Sequence, residues 1–149
     1  MSNCAVESTT VETIDGVQLR TRLFKPLEEI KDDLVVVLVH PYSVLGGCQG
    51  LLKGIAAGLA GKGYRSVTFD MRGAGKSSGR ASLTGFAEIK DVIAVCKWVS
   101  ENLSVGRILL VGSSAGNCDC WSTDDLLQLM VLKVKQKGHQ RLLATMTCT

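Results

Sequence analysis

The sequence predicts an α/β fold built on a mainly parallel sheet flanked by helices, and three observations lead to this prediction. Short apolar segments of strand length occur at residues 34–39, 66–69 and 107–111. Segments in which apolar residues recur at helical spacing separate them. An order of strand, helix, strand, helix, strand is typical of parallel strands joined by right-handed crossovers.

The N-terminal part predicts a hairpin followed by a central strand. Apolar and polar residues alternate over residues 17–24, as in a half-solvated edge strand. Asp15 and Gly16 are a turn signal, so residues 11–14 are its predicted hairpin partner. Residues 34–39 are six consecutive apolar residues, four of them valine. That composition is typical of a strand buried on both faces.

Two amphipathic helices are predicted between the apolar strands. The first covers about residues 50–62, with glycines available to end it. The second includes residues 86–96, with Thr84 as its N-cap and with Asp91 and Lys97 on its polar side. Residues 102–106 are predicted to stop this helix.

Composition and charge narrow the function classes. With 149 residues, 46% hydrophobic and 21% charged, the chain can form one globular domain. Its net charge of +3 is spread without a basic block, so neither nucleic acid nor a membrane is a predicted partner. Residues 1–13 contain Glu7 and Glu12 and lack the order of a secretory signal, so we expect a cytoplasmic protein.

Six scattered cysteines, without a secretion signal, are expected to be reduced thiols. Cys118, Cys120, His139 and Cys148 match no regular zinc spacing. The sequence therefore predicts no metal and no cofactor.

The last apolar strand runs directly into a G-x-S-x-G motif. Gly112-Ser113-Ser114-Ala115-Gly116 follows residues 107–111, where a strand is predicted to meet a helix. At such an elbow the central serine is held in a strained turn, and Gly112 and Gly116 provide the small residues it needs. The alternative is that small residues merely make a tight turn after a buried strand.

Two further motifs follow the other apolar strands. His40-Pro41-Tyr42 comes after residues 34–39, and Asp70-Met71-Arg72-Gly73-Ala74-Gly75-Lys76-Ser77 comes after residues 66–69. In order and separation the three motifs resemble α/β-hydrolases, especially serine aminopeptidase-like and dienelactone hydrolase-like members, including uncharacterised plant-type proteins. The resemblance covers residues 11–116 and implies a serine hydrolase that acts on small acyl substrates, either carboxylic esters or peptides.

The resemblance also implies roles for residues of this chain. Ser114 would be the nucleophile, and the backbone N–H of Ala115 would be one oxyanion donor. Because Pro41 has no N–H, Tyr42 or Ser43 would supply the other. His40 would organise its loop rather than act as the base. Asp70 and Arg72 would brace their turn.

The resemblance stops after the elbow. Residues 1–116 are interpreted as a partial α/β-hydrolase domain and residues 117–149 as a divergent tail with a predicted helix at 124–137. The family continues instead with further strands, an acidic residue and the catalytic histidine. We therefore expect a chain truncated after the elbow, as alternative splicing, intron read-through or a mistaken gene model would produce. The residues after Ser114 that could complete a triad are Asp119, Asp124, Asp125 and His139.

Inactivity and an open strand edge are the expected consequences. A serine hydroxyl needs an imidazole base and an orienting carboxylate, so we predict an inactive chain. The strand at residues 107–111 would have an exposed apolar edge able to pair with another chain. One alternative is thus a non-catalytic fragment or splice isoform that pairs with a full-length relative or has no function.

A nucleotide-binding protein is the more remote alternative. Gly75-Lys76-Ser77 resembles the end of a Walker A loop. However, that motif needs a glycine where Asp70 stands.

Overall fold

The computed structural model describes residues 4–41, 47–113, 127–133 and 143–145. The strands within these ranges are β1 (Cys4–Glu12), β2 (Gln18–Pro26), β3 (Leu34–Val39), β4 (Arg65–Phe69), β5 (Arg107–Ser113), β6 (Leu127–Lys133) and β7 (Leu143–Thr145). The helices are a short 3₁₀ turn at Gln49–Leu52, α1 (Lys53–Gly61) and α2 (Phe86–Asn102). The strands form one sheet in the order β1-β2-β4-β3-β5-β6-β7.

The predicted parallel centre of the sheet is confirmed. Strand β3 lies between β4 and β5 and runs parallel to both. Its bounds are those expected from the six-residue apolar run. The strand needs apolar side chains on both faces because each face of the sheet carries a helix.

Each face of the sheet has its own hydrophobic core. On one face, Val35 and Val37 belong to a cluster that includes Val95 and Val99 of α2. On the other face, Val36 and Leu38 cluster with alanines of α1. The alternation along β3 therefore joins both helices to one strand, which fixes the positions of the loops that follow it.

The N-terminal hairpin is longer than predicted. Strand β1 pairs antiparallel with β2 along its full length, from Cys4 opposite Pro26 to Glu12 opposite Gln18. Ile14, expected in the partner strand, lies in the turn and is 95% exposed. Gly16 has φ of 80° there, which closes the turn just before β2.

The predicted N-cap of α2 is wrong. The cap residue is Gly85, in a left-handed conformation and without a side-chain cap hydrogen bond, rather than Thr84. The polar contacts at this end belong to Ser82: its hydroxyl accepts from the N–H of Gly85 at 2.9 Å and donates to Glu88 at 2.6 Å. A serine three residues before the cap thus takes the part expected of a threonine.

The helix predicted at residues 124–137 is wrong over residues 127–133, which form β6. This strand pairs antiparallel with β5, from Leu127 opposite Ser113 to Lys133 opposite Arg107. An unpaired edge of β5 would leave a row of backbone N–H and C=O groups without partners, and pairing with β6 satisfies them. The edge of β5 expected to be open is therefore occupied by the chain's own tail.

Across the described ranges, none of the helices combines the length and the apolar character that a bilayer crossing requires.

Candidate active site at the carboxyl edge of the sheet

Three sequence motifs converge at the carboxyl ends of the parallel strands. In the register of β3 and β5, Val39 lies opposite Gly112. His40, the first residue after β3, is therefore next to Ser113, the last residue of β5. Adjacent strands of a sheet lie about 4.8 Å apart. Asp70 follows β4 on the other side of β3. This edge is where α/β sheets bind ligands.

Part of the predicted site falls outside the described residues. These are Ser114, Ala115 and Gly116 of the elbow and Tyr42 and Ser43 of the oxyanion loop. Gly112 is described as part of β5, and a Cβ added to it would meet nothing within 4 Å among the described atoms. The steric need for glycine at this position stays a prediction.

Both ring nitrogens of His40 are engaged. The side chain is 1% exposed, and Nε2 accepts a hydrogen bond of 3.0 Å from the backbone N–H of Met71. Because an N–H can only donate, Nε2 is unprotonated and Nδ1 carries the hydrogen. Nδ1 then donates to the carbonyl of Pro41 at 2.6 Å. His40 in this arrangement organises the backbone and has no nitrogen free to take a proton from a serine.

The two ends of the segment 42–46 are held against each other. Gly47 is buried, and a Cβ added there would collide with the carbonyl of Pro41 and lie 2.9 Å from Nδ1 of His40. A glycine is required at position 47 because the backbone passes so close to these atoms. This glycine is not among the site residues predicted from the sequence.

Asp70 is bound mainly by Gln49, which is not among the site residues predicted from the sequence. Its carboxylate accepts from the backbone N–H of Gln49 at 2.9 Å and from Gln49 Nε2 at 2.8 Å. A third donor, the N–H of Lys76, lies at 3.4 Å. Both Asp70 and Gln49 are almost fully buried, at 4% and 3% exposed. A polar residue at the start of a helix gave no local signal of this contact.

Arg72 links its turn to α2 and to the N-terminal hairpin. Its Nη2 lies 2.7 Å from Asp91, and its backbone N–H donates to the same carboxylate at 2.8 Å. Its Nη1 donates to Asp15 at 3.0 Å. Hydrogen bonds to Asp91 and then Asp15 raise the pKa of Arg72 above its ordinary value. The bond from Arg72 holds the pKa of Asp15 well below its ordinary 3.8.

The predicted placement of Asp91 on the polar side of its helix is wrong. Its side chain is fully buried under Arg72. A carboxylate can be buried on the sheet side of α2 because a guanidinium from another element neutralises it. Asp91 is therefore a buried ion-pair partner of Arg72 and does not face solvent.

The glycine-rich turn after β4 uses its own amides. The N–H of Gly73 donates to Ser78, that of Ala74 to Met71, and that of Ser77 to Ala74. A phosphate-binding loop needs such N–H groups directed at the ligand instead. This pattern favours a braced turn over a nucleotide cradle.

Among the described residues, no group of three or more His, Cys, Asp or Glu side chains could hold a metal ion. Burial raises the pKa of the Cys96 thiol to about 12, so this cysteine is a packing residue. A cavity of about 220 Å³ lies at the opposite, amino edge of the parallel strands. It is lined by the β2–β3 connection and the end of α1: Pro26, Leu27, Glu28, Glu29, Lys31, Ala60, Gly61, Lys62 and Gly63.

Comparisons with solved structures agree with this fold. An α/β serine hydrolase homologue from Coxiella burnetii is 31% identical, with a TM-score of 0.64 over 76% of this chain and 53% of its own. An esterase from Pyrococcus furiosus is 27% identical, with a TM-score of 0.61 over 76% of this chain and 43% of its own. A lidless α/β serine hydrolase from Xanthomonas campestris, 24% identical with a TM-score of 0.64 over 78% of this chain and 53% of its own, shares the fold.

The chain thus spans about half the length of these solved relatives. A comparison with curated proteins found no match. The sequence model of the X-Pro dipeptidyl-peptidase (S15) family matches residues 15–146, which is most of the chain. With the motif order and the strand topology described above, this match shows that the chain belongs to the X-Pro dipeptidyl-peptidase (S15) family of α/β-hydrolases.

Proposed function

We propose that this chain carries the nucleophile and oxyanion loop of a serine hydrolase for carboxylic esters or peptides, and that the 149-residue chain alone is inactive. The observation that supports the hydrolase assignment most strongly is the register of β3 and β5. It brings the residue after β3, His40, next to the end of β5, where G-x-S-x-G begins. Esterase-like and peptidase-like relatives support the same reaction class.

The proposed reaction is acyl transfer through the serine. The Ser114 hydroxyl would attack the carbonyl carbon of a small acyl substrate, and its proton would pass to a base. The backbone N–H of Ala115, with that of Tyr42 or Ser43, would stabilise the oxyanion. No metal or other cofactor is required by these steps.

The proposed inactivity rests on the base. Among the described residues the one histidine is His40, and both of its nitrogens are occupied by backbone groups. The histidine after Ser114 in the sequence is His139, which lies outside the described residues together with Asp119, Asp124 and Asp125. His139 lies in the segment 117–149, interpreted from the sequence as divergent, although the family model extends over it to residue 146.

Hydrolysis of p-nitrophenyl acetate tests this proposal. The purified chain and its Ser114→Ala variant should give rates within about twofold of each other, because loss of triad members costs about 10⁴-fold or more. Ser113→Ala is the matched control, since it removes the neighbouring hydroxyl. If Ser114→Ala lowers the rate more than about tenfold and Ser113→Ala does not, the chain has a working triad and the proposed inactivity is wrong.

The second candidate function is pairing with a full-length relative. Its basis is the sequence-based prediction that the strand at residues 107–111 can pair with another chain. Because β6 already pairs with β5, a partner strand at that edge would have to displace β6. Sedimentation of the chain mixed with an intact relative should then give a heterodimer. Independent sedimentation of the two proteins would exclude pairing of this kind.

A further inference from the structure

Two residues that flank the 42–46 segment are bound to the same dipeptide, which follows the neighbouring strand β4. Before the segment, His40 accepts from the backbone N–H of Met71. After it, the backbone N–H of Gln49 donates to the carboxylate of Asp70. Residues 70 and 71 directly follow β4, so one dipeptide binds the described residues on both sides of the segment.

The carboxylate of Asp70 serves this segment more than its own turn. Its two short hydrogen bonds, 2.9 and 2.8 Å, both come from Gln49. Within its turn the carboxylate accepts the longer, 3.4 Å hydrogen bond from the Lys76 N–H, and it packs against Gly75, where an added Cβ would collide with it. The turn is closed instead through the backbone carbonyl of Asp70, which accepts from the Ser77 hydroxyl at 2.6 Å.

The amide of Gln49 is fully committed in one orientation. Its Nε2 donates to Asp70 and, at 3.1 Å, to the carbonyl of Arg20. Its Oε1 accepts from the Thr68 hydroxyl at 3.0 Å. Rotation of the amide by about 180° would set oxygen against carboxylate and carbonyl, so the side chain cannot exchange its two ends. A buried network with every group satisfied favours a single geometry.

We propose that Gln49, acting through Asp70, is a positioning residue for the oxyanion loop. The pair fixes the returning end of the segment that carries the backbone donors predicted at Tyr42 and Ser43, while His40 fixes the outgoing end. This inference rests on the proposed function for the catalytic meaning of the loop. The hydrogen bonds that carry it join described residues.

The hydrogen-bonded pair can be tested by swapping the carboxylate and the amide between positions 49 and 70. In Gln49→Glu, a second buried carboxylate faces Asp70, and the side-chain donor to Asp70 is lost. In Asp70→Asn, one donor amide faces another. In the double variant, which carries both substitutions, the amide introduced at position 70 can donate to the carboxylate introduced at position 49. The other oxygen of that carboxylate still accepts from Thr68. The swap restores the contact between the two positions. It loses the bond to the Arg20 carbonyl and the 3.4 Å contact from the Lys76 N–H.

Amide hydrogen exchange without substrate measures the outcome. Exchange at the Gln49 and Met71 amides should increase about tenfold or more in each single variant and return towards wild type in the double variant. The amides of Val36 and Val37 in β3 report global unfolding and should stay protected. Asp15→Asn is the matched control, because it perturbs an ion pair of Arg72 and touches neither end of the segment.

Two results would overturn the inference. One is unchanged exchange at Gln49 and Met71 in both single variants. The other is an increase that merely parallels that of Val36 and Val37, or that the double variant does not reverse. Because no substrate is used, neither result depends on ester hydrolysis, and failure of the proposed function would appear in the Ser114→Ala comparison alone.

Discussion

Nε2 of His40 accepts a hydrogen bond from the backbone N–H of Met71, and this contact joins the carboxyl ends of β3 and β4. It fixes the imidazole tautomer and directs Nδ1 to the carbonyl of Pro41. A histidine after a buried strand, beside a serine elbow, could be mistaken for a catalytic base. Its two backbone partners make it part of the frame instead, so a base for Ser114 must come from another residue.

The buried pair of Arg72 and Asp91 should dominate the stability of this edge. Asp91→Ala leaves a nearly buried guanidinium without its main partner, so we expect a loss of about 3 kcal/mol in the free energy of unfolding. Urea denaturation monitored by circular dichroism measures it. Lys97→Ala, which removes an exposed pair with Glu101, should cost less than about 0.5 kcal/mol. A loss below about 1 kcal/mol for Asp91→Ala would contradict this account.

Asp15 should make the fold acid-sensitive. Its folded-state pKa lies below the ordinary 3.8, because Arg72 donates to it. A depressed pKa stabilises the fold at pH values above the unfolded value, and that stabilisation is lost as the pH falls through the folded value. Below about pH 4, stability should therefore fall more steeply in wild type than in Asp15→Asn. Thermal midpoints measured from about pH 6 to about pH 2 test this, and equal slopes would exclude the contribution.

Two glycines should respond oppositely to alanine. Gly47→Ala forces a methyl group onto the carbonyl of Pro41 and should destabilise the fold by about 1–3 kcal/mol. Gly58→Ala, at an exposed position of α1 with nothing within 4 Å of the new Cβ, should stabilise it by about 0.5–1 kcal/mol. Urea midpoints give both values. Equal effects would show that the close approach at Gly47 does not restrict the backbone.

The sequence predicts the parts of this fold that depend on short-range patterns. Strand β3 has its predicted bounds because six adjacent apolar residues, four of them valine, are typical of a strand covered on both faces. The two helices follow for the same reason, since their apolar faces cover that sheet. The order of strands, helices and motifs also carries the family resemblance.

Contacts between distant residues explain what the sequence did not predict. The sequence places Asp91 on the solvated side of its helix. In the structure it is buried, because Arg72, 19 positions earlier, neutralises its charge. Gln49 gains its role from Asp70, 21 positions later. Residues 127–133 have helical spacing, but the backbone groups at the edge of β5 offer a full ladder of hydrogen bonds and outweigh this local preference.

A fluorophosphonate probe shows whether the elbow serine has a working base. Covalent labelling requires the serine oxygen to attack phosphorus and expel fluoride, which a hydroxyl does slowly unless a base removes its proton. Intact-mass spectrometry of the 149-residue chain should show no more adduct than in Ser114→Ala after the same exposure. Rapid, one-to-one labelling of Ser114 that is lost on His139→Ala would contradict the account and show that the tail completes a triad.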